Sequence, residues 1–458
     1  MNHQKIKFWS VVMLTVVSVA SLRNLPSAAL FGEVLVGYYI LAGATFLLPV
    51  ALVSAELSSH FEGEGGVFAW VSRALGPHWG LYAIWLQWIE NVIWYPTILS
   101  FIVGTLFYVV APQWIHHKTV LASTIIAIFG LMTGLNLKGM FASARFSVIC
   151  TWLGLIIPMG LVIFLGGLSL IQGQPLYLHV TWSSWMPDIS NTAYLMSLSG
   201  IALSLCGVEV VTVHAQDVHR PAQTYPKALL LSAFSIVFIL ILGSLSVAAV
   251  LPKHSINLVS GVIEAFKIFL DQYHMASYLP LMALMLVVGG LGAVNNWIIA
   301  PARGLLIAAQ SGYLPQCFAA QNQQGAPVMI LYLQALVVGV LCLIFLYFPT
   351  LNQAYWFLTV LASQFYMVMY LLLFVSCWIL KRKSVSSKKF SIPGGIWGTR
   401  WVCVIGGSAV VGIFLVGFLP PEDMQFGGHL KYHLSLILSL ILLSVPPFLL
   451  KRFGSDSP

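Results

Sequence analysis

Charge is what this chain has least of. Acidic residues number 13 and Lys plus Arg 21 among 458 positions, or 7% charged, against roughly 25% in soluble domains. With 59% hydrophobic residues and a mean hydropathy of +0.92, that scarcity excludes a water-solvated globular protein. Cysteine is sparse too: Cys150, Cys206, Cys342, Cys377 and Cys403 fall in apolar runs, Cys317 falls in a loop, and no C-x-x-C occurs. Neither a disulfide framework nor a zinc or redox motif is expected. H-E-x-x-H, G-x-S-x-G and the P-loop are missing, so an enzyme has no nucleophile or metal constellation to stand on, and no cofactor is implied. The adjacent pair His116-His117 lacks a third ligand and does not make a metal site.

What remains is a series of apolar runs. Charge-free stretches such as 146–187, 228–252 and 304–380 exceed the roughly 20 residues that a spanning helix needs. Breaks between them give about twelve spans: 8–32, 35–58, 79–110, 119–136, 147–171, 191–217, 226–251, 277–311, 327–349, 353–380, 400–420 and 431–450. The reading is an all-α membrane protein, with residues 1–458 forming a single polytopic domain in the lipid bilayer. Lys5 and Lys7 precede the first run as in a secretory signal, but the run continues past Ala20 and reads as a retained first span. An even number of crossings puts both termini on one side. Sixteen of the 21 Lys and Arg lie on that side, Lys118, Lys253, Lys267 and Lys431 on the other, and Arg23 on neither. This bias marks the termini as cytoplasmic. It also accounts for the net charge of +8 without a nucleic-acid partner.

Two spans carry interruptions. In the first, Ser21-Leu22-Arg23-Asn24-Leu25-Pro26 breaks the apolar run, since proline removes a donor and clashes with the preceding turn. In the sixth, Cys206-Gly207-Val208-Glu209 sets a helix-weakening glycine beside an acid. The breaks head the two halves if spans 1–5 (1–171) and 6–10 (191–380) are repeats, with 400–450 forming two extra helices. Paired interrupted segments are the best sequence pointer to a transporter's binding site.

Several stretches resemble the amino acid/polyamine/organocation (APC) transporter superfamily, and most resemble the bacterial glutamate/GABA antiporter group. They are Gly63-Glu64-Gly65-Gly66-Val67-Phe68-Ala69-Trp70-Val71-Ser72, Leu75-Gly76-Pro77-His78-Trp79-Gly80, Gly207-Val208-Glu209, Ile256-Asn257-Leu258, Trp297-Ile298, Pro301-Ala302-Arg303-Gly304 and Ser391-Ile392-Pro393-Gly394-Gly395. The resemblance implies the APC fold, a 5+5 inverted repeat plus two C-terminal helices. It further implies alternating access, exchange of an amino acid for a counter-substrate, a site between spans 1, 3, 6, 8 and 10, and a bacterial inner membrane. The Gly63–Gly66 stretch then reads as an inner turn near the moving gate. Arg23-Asn24-Leu25 departs from the aromatic-acidic stretch usual before the first-span proline in that group.

The candidate substrate-binding residues are Ser21, Arg23, Asn24, Glu90, Cys206, Gly207, Val208, Glu209, Asn296 and Trp297; His214 and Tyr366 are gating candidates. An arginine at membrane depth costs at least about 2.5 kcal/mol, so it should hold a partner or a ligand. One alternative is an acidic substrate group on Arg23, with Glu90 or Glu209 meeting an amine. The other is an ion pair of Arg23 with Glu90 or Glu209 that braces the bundle. The fixed cation favours acidic or neutral amino acids over cationic ones. Trp297 matches a family tryptophan that covers substrate, against an ordinary packing role. Asn295 and Gln364 are weaker polar candidates in spans 8 and 10. An amino-acid-sensing receptor on the same body is the competing function, and homo-oligomerisation is left open.

Overall fold

The computed structural model describes residues 7–61, 66–115, 117–138, 149–174, 176–178, 186, 192–211, 218, 221–382, 390–419 and 428–450. Among these residues ten helices are long and apolar enough to cross a membrane, and a bent pair makes an eleventh span. The bent pair is the first span. Helix α1 (Phe8–Val19) ends where Ala20 and Ser21 turn extended, a short 3-10 turn follows at Leu22–Asn24, and α2 (Leu25–Ala29) resumes behind Pro26. The two parts meet at 41°.

The second span runs from α3 (Leu35–Ala42) through a π-turn at Gly43–Leu47 into α4 (Leu48–His60). A short helix, α5 (Val67–Leu75), occupies what the sequence presents as part of an inner turn. Gly76 then takes a φ of 98° and Pro77 opens α6 (Pro77–Val110), the 34-residue third span. Proline suits a first helical turn because its missing N–H would be unpaired there in any case. After α6 come α7 (Lys118–Leu137) and the fifth span, in which a π-turn at Trp152–Ile156 leads into α8 (Ile157–Ile171).

The sixth span is the second interruption. Helix α9 (Thr192–Ser204) stops after 13 residues, and Gly207 sits at φ 105°, a conformation that costs an L-residue with a side chain about 1–2 kcal/mol. That half-helix is too short to cross by itself, which is why the tally stops short of twelve. His214 lies outside the described residues.

Completing the chain are α10 (Pro221–Val250), α11 (Gly261–Gln272), α12 (Leu279–Gln310), α13 (Val328–Cys342), α14 (Ile344–Tyr347), α15 (Leu351–Lys381), α16 (Gly395–Val416), α17 (His429–Ser444) and α18 (Pro446–Leu450). Helix α6 is central and packs along both α12 and α15. At the π-turn of the fifth span, Gly154 meets Gly289 of α12 so closely that a Cβ on either would collide with the other's backbone. Small residues of this kind let membrane helices touch backbone to backbone.

Candidate functional site

The interruption in the first span carries Arg23 inward. Its side chain is buried, Nη1 donates to Thr97 Oγ1 on α6, and Thr97 Oγ1 in turn donates to the Trp94 carbonyl at 2.7 Å. The guanidinium carbon lies 5.4 Å from the centroid of a Trp94 ring and 5.7 Å from that of Tyr355, a cation–π setting that contributes about 2 kcal/mol once desolvated. Nε finds no acceptor. Among the described residues Arg23 and Glu90 are not within ion-pair distance, so the bracing pair that the sequence left open between those two does not form.

Around this arginine lies a small cavity of about 60 Å3, on whose wall Ser21, Arg23 and Asn24 stand with Glu90, Cys206, Trp297 and Tyr366. Seven of the sequence candidates therefore converge. Helix α1 ends at this wall with the negative end of its dipole, and the 3-10 turn that follows takes up the Leu25 amide at the start of α2 through the Leu22 carbonyl.

Glu90 is buried, with Oε2 accepting from Asn91 Nδ2 at 2.9 Å. Asn91 also donates to the Gln87 carbonyl at 2.9 Å. Burial of a carboxylate with so few donors is costly unless something else meets it.

Glu209 has a different surrounding. It accepts from Gln87 Nε2 at 2.9 Å, Tyr366 Oη at 3.2 Å and Tyr370 Oη at 2.6 Å, and Tyr370 Oη accepts from the Gly207 amide at 2.9 Å. The two tyrosines, one turn apart on α15, stack at 5.0 Å and 11°. Glu209 thus ties the unwound stretch of the sixth span to α6 and α15, and neither it nor Gly207 or Val208 is on the cavity wall. Trp297 packs on Gly207, where a Cβ would approach its ring to 2.9 Å, and stands 6.1 Å from Trp94 between ring centroids.

The polar candidates of spans 8 and 10 divide. Asn295 accepts from Asn136 Nδ2 at 2.7 Å, joining α12 to α7, and Gln364 donates to the Phe414 carbonyl at 3.0 Å, joining α15 to α16. Both are structural joints. Asn296 is helical, and its side chain is outside the described residues.

Sequence reading missed the rest of one helical face. Gln87, Glu90, Asn91, Trp94 and Thr97 recur at intervals of three and four on α6, and Ile98 and Phe101 extend the row along the cavity. That periodicity was available once Glu90 had been placed. Tyr355 and Tyr370 carried no such signal, being two tyrosines among 17.

A helical bundle whose first and sixth spans unwind beside a buried polar cavity is the architecture of a secondary transporter. The whole body of the chain, residues 6–443, matches the Amino acid permease family, and the protein belongs to that family, within the APC superfamily. It is 38% identical over 455 residues to an uncharacterized transporter of Legionella pneumophila, covering 99% of this chain and 98% of that one. A glutamate/gamma-aminobutyrate antiporter of Lactococcus lactis is 28% identical over 98% of this chain and 90% of its own. A probable agmatine/putrescine antiporter of the same species is 22% identical over 69% of this chain and 67% of its own. The protein is accordingly a multi-pass membrane transporter of the amino acid permease type.

Proposed function

We propose that the protein is an antiporter of a bacterial inner membrane that exchanges an acidic or neutral amino acid, of the glutamate/GABA kind, for a counter-substrate. Arg23 anchors the substrate's carboxylate. One observation carries the reading: a fully buried guanidinium on a cavity wall meets the Thr97 hydroxyl and the Trp94 and Tyr355 side chains but no carboxylate among the described residues, and its Nε has no acceptor. A carboxylate from outside the chain supplies what the chain does not. The amino group then faces Glu90 and the terminal carbonyls of α1, where the helix dipole is negative.

Two inverted five-helix repeats, 1–171 and 191–380, with both termini cytoplasmic, provide the alternating access. Trp297 and Tyr366 line the cavity from α12 and α15 and cover the bound substrate. The similarity to an antiporter named for glutamate and gamma-aminobutyrate, over nearly the whole of both chains, supports this class. Similarity to an agmatine/putrescine antiporter is weaker and shorter, and a fixed cation in the cavity opposes a cationic substrate.

The test is counterflow in proteoliposomes with acidic, neutral and basic amino acids and their decarboxylated amines. Saturable exchange of acidic or neutral substrates is expected in the wild type, with acidic uptake lost in Arg23→Gln at unchanged folded yield. Exchange of agmatine or putrescine in place of these would overturn the substrate class. Loss of folding in step with uptake would make Arg23 a brace, and binding without flux would turn the reading to a sensor.

A further inference from the structure

The start of α16 holds a second arginine that the cavity does not use. The Arg400 guanidinium carbon lies 5.4 Å from the centroid of a Trp378 ring and 4.9 Å from that of Trp397. Both distances are within cation–π range. Among the described residues no carboxylate pairs with it. The contrast with Lys381, whose ammonium is taken up by Glu56 and Ser391, is direct.

The surroundings point to an anionic ligand at a membrane surface. Along the sequence, residues 378–401 carry six cations and no acid; of these Lys381 is already paired with Glu56. Exposed beside Arg400 are Trp397 at 68% and Trp401 at 65%. Tryptophan at the end of a span sits at headgroup level, with its ring body in the apolar region. Arginine presents a planar fork of donors that matches phosphate oxygens two at a time.

We infer that Arg400, beside Trp378 and Trp397, binds the phosphate of an anionic membrane phospholipid, whose glycerol and upper acyl region lie against Trp397 and Trp401. A lipid is favoured over a soluble anion because the ligand must share the site with two exposed indoles at the end of an apolar span. Thr399, the neighbouring residue, is buried and donates to Glu56 Oε2 at 3.3 Å. The first turns of α16 are therefore held from within by Glu56 and from the membrane side by the lipid.

The experiment reconstitutes the full chain in nanodiscs of phosphatidylglycerol mixed with phosphatidylcholine, re-extracts it, and measures co-purifying lipid by mass spectrometry. Phosphatidylglycerol should be enriched on the wild type relative to the starting mixture. Arg400→Gln should lower that enrichment about fivefold, the factor expected for one basic residue at an anionic surface. Trp397→Ala, at an exposed ring that does not hold the fold together, should lower it too and carries the test if Arg400→Gln folds poorly. Equal retention of both lipids, or undiminished phosphatidylglycerol on both variants, would overturn the proposal. So would displacement of the lipid by inorganic phosphate, which would make the site one for a free anion.

Discussion

Two buried polar clusters in this transporter share a composition and differ in completeness. At the end of α15, Lys381 Nζ donates to Glu56 Oε1 and to Ser391 Oγ, while Glu56 Oε2 accepts from the Ile392 amide and from Thr399 Oγ1, each at 3.3 Å. Both carboxylate oxygens and the ammonium are satisfied from within the chain. In the cavity, Arg23 and Glu90 are as deeply buried but remain apart, with Nε unpartnered and Glu90 held by a single asparagine. A charged cluster that closes on itself is a joint; one that leaves donors and acceptors facing a hollow is waiting for a ligand. Completeness of pairing separates scaffold from site better than burial, since Glu56 is as buried as Arg23 and Glu90.

The comparison is broken most directly at the joint. Glu56→Gln or Lys381→Met should each strand a buried group and cost about 3–5 kcal/mol, whereas the double variant should recover most of the loss. Thermal melting of the purified protein, followed by size-exclusion, reads this. If either single variant melts with the wild type, Glu56 and Lys381 do not hold the ends of α4, α15 and α16 together.

The site should respond in the opposite sense. If Arg23 anchors the substrate as proposed, Arg23→Gln removes a charge-assisted bond worth about 1.5–3 kcal/mol, and acidic uptake should fall at least tenfold. Its melting temperature should stay near that of the wild type, because no acid of the chain is left unpaired by the change. A melting loss as large as that of Lys381→Met would place Arg23 with the scaffold.

Third in size is Gly207→Ala. The new methyl meets the Trp297 ring at about 3 Å in a backbone with φ 105°, and the strain costs about 1–2 kcal/mol. Since the strain falls beside the cavity rather than at the joint, exchange should slow more than stability declines. Comparing initial rates of counterflow with melting temperatures on one preparation distinguishes the two, and a variant that loses only stability would argue against coupling of this turn to transport.

How far the sequence alone reaches follows from the same physics. The spans were legible because lipid imposes a length and forbids charge, and the first interruption because Arg23 and Pro26 violate both rules within four residues. Convergence of Ser21, Arg23, Asn24, Glu90, Cys206, Trp297 and Tyr366 was within reach because each stood out against an apolar background. The partners of Arg23 were not, since Thr97 and Tyr355 are unremarkable in a membrane helix and become significant only when two helices 74 and 332 positions away are brought to one point. Glu56 was passed over for the related reason that it sits near a span end, where acids are common, and its partner Lys381 counted only as one more basic residue on that side. Helix α5 was hidden by the glycines before it, which read as a turn while the helix behind them did not.

Fourth, Thr97→Val should weaken substrate affinity by about 1 kcal/mol, or some fivefold. Valine keeps the shape of threonine but cannot accept from Nη1, so Arg23 gains a competing need for the substrate's oxygens while losing the bond that orients it. If orientation governs, the Michaelis constant for acidic substrates rises; a fall would mean that Thr97 competes with substrate for the guanidinium.

The smallest expected effect tests whether Glu209 belongs to the site or to the scaffold. Tyr370 gives Glu209 its 2.6 Å bond and takes the Gly207 amide, whereas Tyr366 gives a 3.2 Å bond and also stands on the cavity wall. Removing one hydroxyl therefore asks different things of neighbours one turn apart. Tyr370→Phe removes the acceptor of the Gly207 amide and the shortest hydroxyl bond to Glu209, and should lower melting by the larger amount. Tyr366→Phe leaves Glu209 still bonded by Gln87 and Tyr370, and should cost about 0.5–1 kcal/mol at most, visible as a two- to fivefold change in exchange rate with melting almost unmoved. Equal melting losses in the two variants would put Tyr366 with the scaffold and move the boundary between joint and cavity one turn along α15.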